Sequence, residues 1–242
     1  MFRIGILGAA DIAFNKFIPA LMKVEGAECA GVASNSPDKL KRFVEKYNVH
    51  VYSSYNEVIG DDSVDCVYIP LPPAFHYEWA KKALLAGKHV FLEKPSTTSA
   101  DDTKELVGIA GEKGLVVQEN YMFQFHAQLK EIESFIASGE LGKLRLVRTS
   151  FGFPRRAEGD FRYVKELGGG TMMDNGGYTI KLIDMLLGES MRLVSSQLDY
   201  DEKTGIDIFG TAEFVNDDGV IAQAAFGMDC QYQCSLELWG SR

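Results

Sequence analysis

Cysteine is scarce: only four occur in 242 residues, Cys29, Cys66, Cys230 and Cys234. They have neither the spacing of a zinc site nor the density of a disulfide scaffold. No metal is expected, and reduced thiols in a cytoplasmic protein are the simplest account. Cys230 and Cys234 are expected to share one face of a strand as small core residues. Long apolar runs are missing as well. No stretch is suited to span a bilayer, and the N-terminal apolar run is broken by Asp11. Without a small-residue cleavage site, that run does not read as a signal peptide. Positive charge is also lacking: the formal net charge is −9, whereas a nucleic-acid binder needs a basic face. The one basic cluster, Lys39, Lys41 and Arg42, is flanked by Asp38 and Glu45 and reads as a solvated helix face, Lys39 excepted. Neither nucleic acid nor membrane is therefore an expected partner. Repeats, low-complexity tracts and linkers are absent too.

The remaining composition, 46% hydrophobic and 24% charged, suits a globular chain that buries one large core or two modest ones. In the first half, short apolar runs alternate with longer amphipathic segments. Phe2–Leu7, Ala27–Ala33, Val64–Pro70, His89–Leu92 and Leu115–Gln118 read as strands. Ile12–Val24, Pro37–Tyr47, Phe75–Ala86 and Ala100–Glu112 read as helices, several closed by a glycine (Gly26, Gly87, Gly114). This alternation predicts an α/β fold, a doubly wound parallel sheet over 1–120. From 121 onward the texture changes. A helix over Tyr121–Ala137, a strand over Leu144–Phe151 and a helix over Thr171–Leu187 come first. Four alternating segments follow: Arg192–Tyr200, Asp207–Val215, Val220–Met228 and Gln231–Trp239. The pattern predicts a second, α+β domain over 121–242 with a mostly antiparallel open sheet. The chain stops directly after a strand, so that domain is expected to be incomplete and the sequence a fragment or a shortened relative of something longer.

Four constellations carry chemistry. The first strand runs into Gly8-Ala9-Ala10-Asp11-Ile12-Ala13, the place of a dinucleotide fingerprint. Its first glycine makes the turn; the second and third positions are alanine, small enough to serve but a degraded match. At the end of the second strand stands Ser34-Asn35-Ser36. A carboxylate there would hydrogen-bond the adenosine ribose and repel a 2′-phosphate. Neutral donors at Ser34 and Asn35, with Lys39 one turn along, favour NADP over NAD, although the usual arginine is missing. The bland alternative is that Ser36, Pro37 and Asp38 simply cap the next helix.

The third constellation is His89-Val90-Phe91-Leu92-Glu93-Lys94-Pro95. Ligands bind beyond the carboxyl ends of strands in open parallel sheets, so Lys94 is placed to reach one while Pro95 stiffens the exit. In isolation the same run reads as a solvated Glu-Lys pair. The fourth follows Gly168-Gly169-Gly170, where Asp174, Tyr178 and Lys181 fall at i, i+4 and i+7 on one helix face. Gly176 and Gly177 sit mid-helix, each at a cost of about 1 kcal/mol relative to alanine, which implies a bulky group close to the backbone. A solvated stripe is the alternative. A lysine, tyrosine and aspartate converging on a nicotinamide would supply a proton donor, a charge to lower its pKa and a group to orient substrate hydroxyls.

Together these runs resemble the glucose–fructose oxidoreductase / inositol dehydrogenase (Gfo/Idh/MocA) family, over the whole chain. The resemblance rests on Gly5–Ala13, Val67–Ala80, Ala86–Pro95 and Gly168–Tyr178, above all on Glu93-Lys94-Pro95 at its distance from the glycine-rich turn. It implies an NAD(P)-binding Rossmann domain over 1–120. Residues 121–242 would then form a substrate and oligomerisation domain whose open sheet builds a homo-oligomer. It implies NAD(P)-dependent oxidation or reduction of a sugar-like alcohol or ketone. Lys94 matches the family's active-site lysine and Asp174 the family aspartate. Tyr178 stands where many members carry histidine, as it does in the glucose–fructose oxidoreductase, dihydrodiol dehydrogenase and sugar 3-ketoreductase branches.

By the same resemblance the cofactor contacts Gly8, Ala9, Ala10, Asp11, Ile12, Ser34, Asn35, Lys39, Pro70, Leu71, Pro72, His76, Glu93 and Lys94. The substrate contacts Lys94, Asn120, Arg162, Asp174 and Tyr178. Two departures stand out: Lys181 where aspartate is common and Gln124 where arginine is common. Glu119–Phe123, Ser150–Pro154 and Asp160–Tyr163 are similar to members from bacterial surface-polysaccharide and deoxysugar pathways, which implies a nucleotide-linked keto-sugar. Arg162 would then meet a phosphate or the cofactor, or else form a surface ion pair.

The expected reaction passes a hydride between C4 of the nicotinamide and a carbinol carbon. In the reducing direction Tyr178 donates the proton, Lys94 lowers the phenol's pKa and stabilises the oxyanion, and Asp174 holds a neighbouring hydroxyl. His76 is expected to line the cofactor cleft. Two rivals stay open. One is a non-catalytic dinucleotide-binding or regulatory protein on the same fold. The other is a dihydrodiol-dehydrogenase-like or aldose oxidoreductase whose tightly bound cofactor is reoxidised by a second sugar.

Overall fold

In the computed structural model, which describes residues 1–188 and 190–242, the chain divides into two units, Met1–Asn120 and Tyr121–Arg242. In the first, β1 (Phe2–Leu7), β2 (Ala27–Ala33), β3 (Cys66–Ile69), β4 (His89–Leu92) and β5 (Val117–Glu119) form a parallel sheet ordered β2-β1-β3-β4-β5. Successive strand residues face opposite sides. Ile6, Val32 and Tyr68 join one core with α1 (Ile18–Leu21) and α2 (Pro37–Tyr47). Leu7, Ala33, Val67, Ile69, Val90 and Leu92 join the other with α3 (Tyr55–Gly60), α4 (His76–Leu85) and α5 (Ala100–Lys113). Burial on both faces is why these strands read as unbroken apolar runs.

Two helices differ from the sequence expectation. The segment over 12–24 is not one α-helix: a π-turn spans Ala13–Phe17 and α1 follows with Pro19 in its first turn. Pro19 has no N–H to close an α-helical bond to Asn15, so the ladder upstream widens. Helix α3, absent from that expectation, begins with Ser54, whose Oγ accepts the Glu57 N–H at 3.1 Å. The run Ser54-Tyr55-Asn56-Glu57 is a capping-box pattern and was its available signal.

In the second unit, α6 (Ala127–Ala137) and α7 (Gly177–Leu187) accompany β6 (Leu146–Gly152), β7 (Arg192–Tyr200), β8 (Asp207–Val215), β9 (Ile221–Gly227) and β10 (Gln233–Trp239). The sheet order is β10-β6-β9-β8-β7. It is mixed: β6 pairs parallel with β9 and antiparallel with β10, and the remaining pairs are antiparallel. Because β9 and β10 run in opposite directions, a strand inserted between them must be parallel to one. Val147, Ala222, Ala224 and Phe226 from the sheet pack with Ile183 of α7. On the opposite face Arg148 donates to Gln223 Oε1 (2.9–3.0 Å), and Gln223 donates to Glu213 (2.9 Å).

Here too the helices start later than the pattern suggests. Residues 121–137 split into a 3₁₀ turn, Met122–Phe125, and α6. Between them His126 is extended (φ −74°, ψ 133°) and caps α6 by accepting the Gln128 N–H. Residues 171–187 begin with a π-turn, Met172–Gly176, before α7. Cys230 and Cys234 do not share a core strand face. Cys230 lies in the turn before β10, and Cys234 is exposed within it.

Among the described residues no helix is long and apolar enough to cross a membrane. Burial pushes the Cys66 thiol up to about 12 and the Cys29 thiol up to about 11, and only a thiolate is an effective nucleophile. Iodoacetamide at pH 8 should therefore label Cys234 first and leave Cys66 intact in the native protein, which peptide mass spectrometry would read directly.

Candidate active site

The winding of the first sheet reverses between β1 and β3, and a crevice opens there at the carboxyl ends of the strands. A cavity of about 510 Å³ occupies it. Its floor is the turn Gly8-Ala9-Ala10. Gly8 has φ +118°, and a Cβ there would sit 2.9 Å from Leu71 Cδ2. Only glycine lets this turn pass Leu71 while its N–H reaches Ala33 O at 2.8 Å. Ser34, Asn35, Ser36 and Lys39 line the side at the end of β2, and Pro70, Leu71 and Pro72 line the side at the end of β3. Tyr55, Phe75, Glu78 and Trp79 complete the walls; none of them is among the candidate contacts above, although Phe75, Glu78 and Trp79 lie within the run Val67–Ala80. Tyr55 and Trp79 pack edge to face at 5.0 Å.

The end of β2 carries no carboxylate. The Ser36 N–H donates to Ser34 Oγ at 3.1 Å, so the Ser34 hydroxyl proton points elsewhere. Ser36 is the N-cap of α2, but its side chain makes no cap bond; the alternative of a simple cap accounts for its backbone only. Asp11 and Ile12 do not line the cavity. Asp11 pairs with Arg42 Nη1 at 2.6 Å, and Arg42 Nη2 donates to Ala9 O at 3.2 Å. The guanidinium also lies 4.6 Å over the Phe14 ring. Arg42 is thus no solvated-face residue; it holds the glycine turn from α2.

Beyond β4, Glu93 is buried and accepts hydrogen bonds from Tyr68 Oη (2.6 Å) and Asn120 Nδ2 (2.7 Å). Burial and then the Glu93 charge raise the Tyr68 phenol far above its usual range. Neither Glu93 nor Asn120 is among the residues lining the cavity; both tie the ends of β3, β4 and β5 together. Lys94 follows, half-buried, and its peptide bond to Pro95 is cis. His76, expected in the cleft, is instead wholly buried (0% exposed) between Leu71 O and Pro95 O. It opens α4, with its own side chain turned inward.

In the second unit Asp174 is 8% exposed, so the stripe of which it is part is not a solvated face. Arg162 Nε donates to Asp174 Oδ2 at 2.6 Å, and Arg162 Nη1 pairs with Asp160 at 3.2 Å. Burial opposes the Arg162 charge, but the two carboxylates outweigh it and keep its pKa above the ordinary value. The arginine is a partly buried carboxylate partner, not a surface ion pair, and this pairing has no sequence signal because 12 residues separate its members. Tyr178 packs against Tyr121 (5.0 Å, 89°), Phe151 (5.3 Å) and Phe123 (5.7 Å). The groups pressed against the mid-helix glycines are Tyr121 at Gly177 and Phe226 at Gly176. Lys181 pairs with Asp184 at 3.6 Å and so is bound within its own helix. Two residues that are not among the candidates, one inside the Gly168–Tyr178 run and one far from it, hold the start of this helix. Asp207 accepts the Met172 N–H at 2.7 Å. Asn175, fully buried, donates to Phe151 O and Gly227 O at 2.7 and 2.8 Å. Among the described residues no cluster of three or more His, Cys, Asp or Glu is suited to hold a metal ion.

A glycine-turn cavity at the switch point of a parallel sheet makes the first unit a Rossmann-type nucleotide-binding fold, followed here by a second α+β unit. Residues 2–121 match the Gfo/Idh/MocA "Oxidoreductase family, NAD-binding Rossmann fold", and residues 129–242 match the "GFO/IDH/MocA C-terminal domain". The chain is 37% identical over 240 residues to a dTDP-3,4-didehydro-2,6-dideoxy-alpha-D-glucose 3-reductase of Saccharopolyspora spinosa, covering 99% of this chain and 72% of that one. It is 39% identical over 241 residues to the enzyme of the same name from Streptomyces violaceoruber (99% and 70%). Among solved structures it is similar to KijD10, a 3-ketoreductase from Actinomadura kijaniata in complex with NADP and TDP-benzene. That match has a TM-score of 0.96 and 36% identity, over 99% of this chain and 74% of that one. The protein belongs to the Gfo/Idh/MocA oxidoreductase family.

Removing one member of a buried ion pair strands the other. Arg162→Ala should therefore lower stability by about 3 kcal/mol, whereas Lys181→Ala should stay within about 0.5 kcal/mol. Urea unfolding of the two variants checks the contrast.

Proposed function

We propose that this protein is an NADPH-dependent reductase acting on the ketone of a nucleotide-linked deoxysugar. The observation that carries the cofactor half is the cavity beside Gly8. Its β2 side presents Ser34, Asn35, Ser36 and Lys39 with no carboxylate, a set that accepts a 2′-phosphate and leaves a bare ribose diol without its usual acceptor. The floor is a cradle that any Cβ at Gly8 would fill, which fits the close backbone approach of a pyrophosphate. When bound, the nicotinamide supplies the hydride. The substrate half rests on the relatives, which carry 3-reductase names for dTDP-linked sugars. The likeness favours this reading over a non-catalytic binder or an aldose oxidoreductase.

The chain's own residues take distinct roles. Gly8, Ala9 and Ala10 hold the dinucleotide's phosphates, Ser34 and Lys39 its 2′-phosphate, and Pro70, Leu71 and Pro72 wall the site. Lys94, a cation beyond β4, polarises the carbonyl and stabilises developing oxyanion charge. Tyr178 donates the proton to that oxygen. Its phenol ring is oriented by the rings of Tyr121, Phe123 and Phe151. Asp174, paired with Arg162, accepts a substrate hydroxyl. We assign the first unit to the dinucleotide and the second to substrate and subunit contacts. Free thiols favour a cytoplasmic setting. The outward face of the second sheet, with Trp239 over Arg148 (5.2 Å), is the surface assigned to a homo-oligomer.

Lys94→Ala should lower kcat by about 10²–10³-fold while the NADPH Kd changes by less than about threefold. Unchanged turnover would remove the lysine from the mechanism. In a nicotinamide-fluorescence titration NADPH should bind more tightly than NADH. Lys39→Glu should weaken NADPH by about tenfold or more, the loss of a charge-assisted contact, and leave NADH nearly unchanged. Equal affinities in the unaltered protein would overturn the cofactor assignment.

A further inference from the structure

His76 is wholly buried, yet both of its ring nitrogens face main-chain oxygens: Nδ1 lies 2.8 Å from Pro95 O and Nε2 lies 2.7 Å from Leu71 O. A carbonyl oxygen only accepts, and a neutral imidazole carries one N–H, so it can serve one of these oxygens and must turn a lone pair toward the other. Both bonds form only when the ring holds two protons. The two oxygens belong to the two loops that matter most in this unit. Leu71 is part of the cavity wall and packs over the glycine turn, while Pro95 is bonded directly to Lys94.

We propose that His76 is a positioning residue for Lys94, a bracket whose second ring proton locks the Lys94–Pro95 loop to the dinucleotide cavity wall. The idea rests on the role assigned to Lys94 above. The charged groups facing the imidazole are Glu93 and Lys94, on the loop after β4. Glu119 on β5 accepts the Ser96 N–H from the same loop (2.7 Å). The 70–75 loop brings no titratable side chain, and α4 itself adds Glu78 two residues on. Burial depresses the imidazole pKa; the Pro95 and Leu71 oxygens and Glu93 oppose this, and Lys94 adds to it. The sign follows. The doubly protonated bracket forms as pH falls below the usual histidine range, and a cationic His76 in turn repels the Lys94 ammonium.

Two measurements on the unaltered protein come first. Imidazole NMR of ¹⁵N-histidine protein, with only four histidines, should show one solvent-shielded ring gaining a second slowly exchanging N–H on acidification. Trace acetylation should show Lys94 gaining about two- to threefold in reactivity, relative to exposed Lys104, through the same pH interval. In His76→Gln, whose side chain has a single donor nitrogen and does not titrate, that gain should vanish. Its kcat should fall about tenfold with a flattened pH profile, while the melting temperature stays within a few degrees. A buried ring that stays singly protonated down to pH 5, with a flat Lys94 labelling ratio, overturns the bracket even if His76→Gln does not fold. Labelling that follows His76 in a protein that binds neither NADPH nor NADH upholds the bracket and overturns the oxidoreductase reading instead.

Discussion

The reversal of winding between β1 and β3 governs this protein's first unit. Parallel strands need crossover connections, and these pack on whichever face the handedness rule allows. Here α1 and α2 follow one face while α3, α4 and α5 follow the other. The loops leaving β1 and β3 must therefore part in opposite directions, and the space between them cannot be filled by either helix layer. Gly8, Ser34, Lys39 and Leu71 all owe their place to that parting. The cavity is thus a consequence of topology, and the side chains decide only what it accepts.

Buried charge is handled in the same manner in both units, by giving each carboxylate a committed set of donors. Glu93 takes bonds from Tyr68 and Asn120, so three strand ends share one anion next to Lys94. Asp174 takes Arg162, and Asp207 takes a helix-start amide. An ion without partners in such surroundings would cost several kcal/mol, and the donors also fix direction. Residues that resemble binding groups in the linear sequence, Glu93 and Arg162 among them, are therefore chiefly holders of their neighbours. Arg42 is a third instance, since it grips the backbone of the glycine turn and the Asp11 carboxylate together.

Much of this was legible from residue order alone. Strong period-two and all-apolar runs marked every strand, since burial of one or both faces leaves a pattern that local context does not disturb. The turn at Gly8, the neutral end of β2 and the Glu93-Lys94-Pro95 exit were visible because each lies at a strand end, where topology makes position predictable. What stayed hidden depended on partners distant in sequence. The π-turns at Ala13–Phe17 and Met172–Gly176 look helical in any periodicity count. The parallel pairing of β6 with β9 arises only from the order in which strands join the sheet. The two-sided grip on His76 requires loops 71 and 95 to be brought together by the sheet between them.

The sequence by itself determined the kind of fold and which strand ends would carry chemistry, because hydrophobic periodicity and turn residues act through near neighbours. Only the tertiary structure decided which of those polar groups face the cavity and which are consumed in holding it open. That choice is made by hydrogen bonds between segments tens of residues apart, and no local pattern encodes them.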